Sequence, residues 1–290
     1  MKKFIILIPV YNDWKSVSRL LKEIESEIAA WEAEVSVLIV NDGSTEKRYG
    51  INSNFKKIKS IKIINMNKNQ GHPRCIVVGL KYIVEKESCD YVIPMDADGE
   101  DNPKELNSLF NKSKEYPVKV ITADRIKRSE GLIFRFCYQI HKYLTYVFTG
   151  RLINFGNYTC LPKNVVIKMI AEPSTWSSFS GSLTKLNSDR VSVPSFRGLR
   201  YYGPSKMSFF KLLIHSFSII AVFKKTVFLR SFIFLSVYLL IVFKSLSLIT
   251  LFPVFLIIIF LLSIVLVSNR ENLDQLKKSL NNISSIDNIN

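Results

Sequence analysis

Acidic residues run out in the last third of the chain. No Asp or Glu occurs between Asp189 and Glu271, while Arg197, Arg200, Lys206, Lys211, Lys224, Lys225 and Arg230 do, and the chain as a whole carries a formal charge of +16. A basic segment beside an apolar one points to anionic lipid rather than nucleic acid. Cysteine is scarce and without pattern: Cys75, Cys89, Cys137 and Cys160 show no CxxC or metal spacing, so they read as buried thiols in a reducing compartment. His72, His141 and His215 are scattered, which excludes a histidine metal site or triad legible from spacing, and His72 alone falls in a motif loop.

Charge is almost missing from Ser231 to Ser268, where Lys244 stands alone. About 38 residues of helix at ~1.5 Å each would be near 57 Å long, too much for one crossing of a hydrocarbon core of roughly 30 Å. Two crossings fit, near Val227 to Phe243 and Leu246 to Val267, with Lys244 and Ser245 on the far side. Lys224 and Lys225 flank one end and Arg270, Lys277 and Lys278 the other, so the positive-inside rule puts both ends in the cytoplasm, at an inner or plasma membrane. Arg230 would snorkel to the headgroups. Met207 to Phe223 mixes Phe, Leu and Ile with Lys211 and His215 and reads as an interfacial helix. The expected organisation is a soluble domain over 1–205, an interfacial amphipathic helix over 206–225, a transmembrane hairpin over 226–268, and a weakly ordered, Asn- and Ser-rich cytoplasmic tail over 269–290.

What the first half holds is alternation. The opening MKKFIILIPVYND has an apolar run too short for a signal peptide and no small-residue cleavage site, so it reads as a first strand. A helix follows, with Val17, Leu20, Leu21, Ile24 and Ile28 at helical spacing and Asn12 or Asp13 placed to cap it. Strand Val35 to Val40 ends at Asp42, which could equally be an Asx-turn former. Strand Ile61 to Met66, a loop to Pro73 and a helix from about Arg74 to Lys86 complete a pattern that predicts an α/β doubly wound, mostly parallel sheet. Ligands of such sheets lie at the carboxyl ends of the strands. Asp13, Asp42, Gly71 and the carboxylates after strand Tyr91 to Pro94 all fall there.

That last group, Asp96, Asp98, Glu100 and Asp101, sits within one loop. Carboxylates so close repel one another unless a cation sits among them, so the cluster reads either as a hard oxygen site for Mg²⁺ or Mn²⁺ shared with a diphosphate, with Asp96, Asp98 and Glu100 as candidate ligands, or as a solvated acidic loop before a helix. Further on, Leu132 to Gly150 is a helix with aromatics on several faces, either packed in protein or docked on a membrane surface.

IPVYND (8–13), VNDGST (40–45), NQGHPRCIVVGL (69–80) and MDADGEDNP (95–103), in this order, resemble the family 2 glycosyltransferases of the GT-A fold. RGLRYYGPSKMSF (197–209) followed by an apolar hairpin resembles their polyprenyl-phosphate branch, relatives of dolichyl-phosphate mannose synthase. The resemblance implies that Pro9, Tyr11, Asp13, Asp42, Gly71 and Asp96 face the nucleotide-sugar donor, that Asp98 binds the metal, and that Glu100 stands where relatives often carry a metal-contacting Gln. It implies an acceptor phosphate held by Arg200, Ser205 and Lys206, with Arg125 and Arg128 beside them, and Asp96, Asp98, Arg200 and Lys206 as the catalytic set. Asn157 and Tyr158 would lie under the acceptor. Departures from the family pattern are Gly99, Arg74 with Cys75, and Asp124. Inversion at the anomeric carbon and a setting in cell-envelope glycan synthesis come from the resemblance as well.

Between Ile126 and Arg270 the acids are Glu130, Glu172 and Asp189, so a dedicated general base for a sugar hydroxyl is hard to find. A phosphate acceptor needs none, its second pKa of about 6 leaving it largely ionised at neutral pH. The expected activity is thus metal-dependent transfer of a sugar from a nucleotide-sugar to a membrane polyprenyl phosphate, with self-association left open. The alternatives are transfer to a sugar hydroxyl and a non-catalytic membrane scaffold. A processive polysaccharide synthase is disfavoured because its QxxRW motif needs an Arg-Trp pair, which is absent.

Overall fold

Every position from Phe4 to Val10 is apolar, as a strand covered on both faces requires. In the computed structural model Lys2–Val10 forms β1, buried from residue 4 onward. The structure describes residues 1–289 apart from 49, 52–53, 128–131, 187–188 and 204–207, and leaves aside the side chains of 127, 132–136 and 209. Along β1, Phe4, Ile6 and Ile8 point into one apolar core and Ile5 and Leu7 into another, the period of two expected of a strand. Helix α1 (Trp14–Glu27) seals the first core with Val17, Leu20, Leu21 and Ile24.

The chain continues through β2 (Ala33–Asn41), β3 (Ile58–Met66), α2 (His72–Lys86), β4 (Tyr91–Pro94), α3 (Leu106–Glu115), β5 (Val120–Lys127), α4 (Leu132–Thr149), β6 (Phe155–Pro162), α5 (Lys163–Ala171), α6 (Phe179–Lys185) and β7 (Arg190–Phe196). Next come α7 (Phe209–Ala221), α8 (Lys224–Val242), α9 (Leu248–Ser268), α10 (Leu273–Lys277) and β8 (Ile283–Ile289). Among the described residues eight strands lie in the order β7-β5-β6-β4-β1-β2-β3-β8. The run β4-β1-β2-β3 is parallel, as predicted, and α2, α5 and α6 cover its second face. β6 runs antiparallel to both β4 and β5, so the sheet is mixed at that side. The β1–β2 register pairs Val10 with Asn41, which makes the loops carrying Asp13 and Asp42 leave the sheet side by side.

The tail differs from expectation. Residues 283–289 pair antiparallel with β3 and close the sheet edge, and Leu276 of α10 is buried in the second core. Asn and Ser are poor core formers, but here they serve an edge, where ladder hydrogen bonds rather than burial hold the strand. Weak order inferred from composition is therefore corrected for the described tail residues.

Among the described residues two helices are long and apolar enough to cross a membrane, Lys224–Ser245 and Leu248–Lys277 by composition, and they join through a turn at Phe243–Ser245. β8 returns to the sheet after them, which holds both ends of the hairpin on the catalytic domain's side. Arg230 donates to the Val147 carbonyl at 2.9 Å, so it caps the last turn of α4 rather than reaching only for headgroups. Helix α4 is packed in protein on one side. Phe148 packs on Phe260 with centroids 4.6 Å apart, while Ile140, Tyr143 and Tyr146 stay exposed.

Candidate active site

The functional loops converge because the strands end together. Asp42 leaves β2 buried, and its carboxylate accepts the Gln70 and Gly71 amides at 2.7 and 2.9 Å. Gly71 has φ +91, a conformation that L side chains rarely adopt, so the amide reaches Asp42 only because the residue is glycine. Burial pushes the Asp42 carboxyl up, against the pull of those two amides. The next residue, His72, opens α2 and places Nε2 2.8 Å from Asp96 Oδ1, just beyond β4. Asp96 in turn donates its amide to Asp101 Oδ2 at 2.9 Å.

A second set comes from 197–201. Arg200 pairs with Asp98, and its other terminal nitrogen lies 3.1 Å from Asp13 Oδ2. Arg197 pairs with Glu100. Backbone bonds from Gly198 to Glu100 and from Tyr201 to Asp98, at 2.9 and 2.8 Å, lay this segment along the carboxylate loop. Gly99 is required by that contact: its φ is +86, and a Cβ would come within 2.4 Å of the Tyr201 ring. The departure from the family pattern at 99 thus makes room for Tyr201, whose hydroxyl donates to Glu23 at 2.6 Å.

The electrostatics are uneven. Burial opposes ionisation of Asp96, but the neighbouring His72, Arg197 and Arg125 outweigh it and hold its carboxyl well below the usual range. His72 goes the other way: burial would lower it, and the pull of Asp96 raises it. Asp98 is pushed up to about 6 by burial and by Asp96, and Asp101 to about 8 by the same two causes. The loop therefore holds more carboxylates than its neighbours can neutralise, which is the setting for an added cation.

The sequence-predicted residues fare differently. Asp13, Asp42, Gly71, Asp96 and Asp98 come together with Arg200. Tyr11 stands exposed at the rim, whereas Pro9 is buried inside β1. Asp13 occupies the N-cap of α1 but accepts the Ser16 hydroxyl at 2.6 Å in place of a helix amide. Arg125 approaches from β5 and packs over Gly156, where a Cβ would lie 2.5 Å away. Tyr158 is buried, its hydroxyl donating to the Asn102 carbonyl at 3.0 Å, so it supports the loop from below. Arg128, Ser205 and Lys206 lie outside the described residues. Asp96, Asp98 and Glu100 do not gather around one point: among the described residues no three His, Cys, Asp or Glu side chains could hold a metal together. Glu100 is instead committed to Arg197, which corrects the three-carboxylate set.

His72 and Arg197 were not among the site residues expected from sequence, and Asp101 was named only as one of four crowded carboxylates. Their contacts join residues 24, 5 and 97 apart in the chain, beyond any helical or strand period. The usable signal for His72 was its place directly after Gly71 in the third motif.

The chain is 27% identical to an undecaprenyl-phosphate 4-deoxy-4-formamido-L-arabinose transferase of Salmonella choleraesuis, over 73% of this chain and 65% of that protein. It is 24% identical to the enzyme of the same description from Klebsiella pneumoniae, with the same coverage. It thus spans just under two thirds of the length of these relatives. Glucosyl-3-phosphoglycerate synthase of Mycobacterium tuberculosis, solved with Mn²⁺, UDP-glucose and phosphoglyceric acid, shares the fold at a TM-score of 0.56 and 12% identity, over 78% of this chain and 80% of that one. Residues 5–169 match the family described as Glycosyl transferase family 2, a stretch that holds Asp13, Asp42, His72 and the carboxylate loop while Arg197 and Arg200 lie beyond it, and over more than half of its length the chain thus belongs to this family.

Proposed function

We propose that the protein transfers a sugar from a nucleotide-sugar to a membrane polyprenyl phosphate. The observation that carries this reading is the position of α7. This helix packs on α9 of the hairpin through Phe217 and Ile220, and it follows closely in the chain the segment 197–201, whose Arg200 pairs with Asp98 and whose Gly198 and Tyr201 amides bond the carboxylate loop. The carboxylate loop is therefore tied through 197–201 to the helix that enters the membrane, where a lipid headgroup can meet it. The relatives named as undecaprenyl-phosphate transferases support the same acceptor class.

Asp42 and the 70–71 amides frame the nucleotide, with Tyr11 at the rim. Asp98, with Asp96 beside it, would hold a divalent cation, which when bound neutralises the charge developing on the departing diphosphate. The excess of carboxylate around Asp98 fits such an ion, and a site with one or two protein carboxylates leaves coordination for donor phosphates. Arg200 bridges Asp13 and Asp98, and its Nε is buried without an acceptor among the described residues, which suits a phosphate oxygen. Arg125, Arg128, Ser205 and Lys206 complete the acceptor side, where aimed positive charge orients a phosphate that needs no general base.

The test is transfer of labelled sugar by the purified protein in vesicles with Mg²⁺ or Mn²⁺ and a panel of UDP- and GDP-sugars. Label in polyprenyl phosphate sugar supports the proposal; label only in a free sugar or glycan acceptor overturns the acceptor assignment. The basic flanks at both hairpin ends support a cytoplasmic catalytic domain by the positive-inside rule. A Ser245→Cys variant in intact cells should then react with an impermeant thiol reagent, and reaction only after permeabilisation would reverse the orientation.

A further inference from the structure

We propose that the C-terminal strand β8 is a positioning element for the nucleotide-facing loops of the donor site. The inference uses the donor side named above and assigns its support to residues beyond the membrane hairpin, far from every motif.

A ladder of polar side chains crosses the sheet edge. Asn65 of β3 donates from Nδ2 to Ser285 Oγ at 2.9 Å and Asp287 Oδ2 at 3.2 Å. Its Oδ1 accepts from Asn41 Nδ2 at 2.9 Å. Asn41 Oδ1 accepts the Ser44 amide at 3.0 Å, and Ser44 Oγ accepts the Asn12 amide at 2.9 Å. Asn12 sits at φ +50 and holds the Thr45 and Glu46 amides with its own Oδ1 at 2.8 and 3.1 Å. Asp287 also pairs with Arg48 at 2.7 Å. The chain Asp287–Asn65–Asn41–Ser44–Asn12 thus runs from the tail to the two loops that carry Tyr11, Asp13 and Asp42.

A second contact reaches the opposite wall. Asn67 donates its amide to the Asn282 carbonyl at 2.8 Å, and Asn282 Nδ2 donates to the Lys68 carbonyl at 3.4 Å. That loop supplies the Gln70 and Gly71 amides that fix Asp42. A strand that merely covered an edge would need only its backbone ladder. Here the side chains at 285 and 287 are spent on Asn65, and the left-handed residue Asn12 depends on the far end of the same network. Held loops cost less ordering when a ligand binds, which gives the network an expression in donor affinity.

The experiment compares wild type with Asp287→Ala and Asn65→Ala, and uses Ile286→Ala, an exposed β8 residue outside the network, as control. Two readouts are taken: amide hydrogen exchange of 41–48 and 67–71, and donor KM with nucleoside diphosphate Kd. Asp287→Ala and Asn65→Ala should accelerate exchange in both loops and raise KM and Kd about three- to tenfold, with kcat held within about twofold. Asp287→Asn, which keeps an acceptor oxygen, should recover most of the loss. Ile286→Ala should lower the unfolding temperature while leaving loop exchange unchanged. Unchanged loop exchange in Asp287→Ala and Asn65→Ala, or the same change in Ile286→Ala, overturns the inference. Faster exchange in a protein whose wild type binds no nucleoside diphosphate would uphold the positioning role and sink the donor reading instead.

Discussion

The first hundred residues and the hairpin are both rich in Ile, Leu, Phe and Val, yet they bury them in opposite ways. In β1, Ile6, Leu7 and Ile8 are 0% exposed, whereas in α9 Leu248 and Ile249 are 90% and 84% exposed. The polar residues follow suit: in the first region they collect where strands end, and in the second they flank the hairpin at Lys224, Lys225 and Arg270. The difference is one of solvent. A strand run between two helical layers needs a protein core, while a helix that is apolar on all sides and unburied needs lipid. Chemistry sits in the region whose apolar residues have already been satisfied.

The largest expected effect tests that last statement. Asp98→Asn should lower turnover about a hundred- to a thousandfold, the loss typical of removing an aimed electrostatic contact to a reacting group. It should leave the unfolding temperature within a few degrees, because Asn keeps the Oδ1 acceptor used by the Glu100 amide and removes a carboxylate that burial disfavours. Full activity of this variant, or wild-type activity undiminished in EDTA, would move the chemistry away from the carboxylate loop.

The next effect separates the two solvents. Ile6→Ala should cost about 2–4 kcal/mol through lost transfer energy and an unfilled cavity. Ile249→Ala should cost under about 0.5 kcal/mol, since no protein side chain packs closely there to leave a void. Denaturant or thermal unfolding in detergent measures both. An equal loss at Ile249 would mean that a protein surface, such as a second copy, covers the hairpin in place of lipid.

The same contrast explains what could be read from sequence. Strand–helix alternation in the first hundred residues is local and periodic, so the parallel core and the strand-end positions of Asp13, Asp42 and Asp96 follow from it. The hairpin turn at Lys244 was equally legible, because one charge in an apolar run marks it. What escaped was set by pairs distant in sequence: Arg200 with Asp13, Arg197 with Glu100, His72 with Asp96. Arg200 was expected at an acceptor phosphate from the resemblance and from its place before the hairpin, and its pairing with Asp13 and Asp98 was not part of that expectation. β8 escaped for another reason. ISSIDNI has the β-branched residues of a strand, but its Ser and Asn content suggested disorder, and only the open edge of β3 makes a strand of it.

The smallest effect lies at the junction of the two regions. His215 on α7 is half-buried, and burial, followed by the positive charge of His72, His141 and Arg125, lowers its pKa to about 4. An unfolded histidine titrates near 6.5. Between those values the unfolded chain binds the proton and the folded one does not, so this residue's contribution is complete above about pH 6.5 and is lost as pH falls toward 4. His215→Gln cannot gain that charge and should flatten part of the acid slope of the unfolding temperature between pH 6.5 and 4, with activity at neutral pH reduced far less than in Asp98→Asn. An acid slope identical to wild type would show that His215 meets solvent freely, and the burial that lowers its pKa would fall with it.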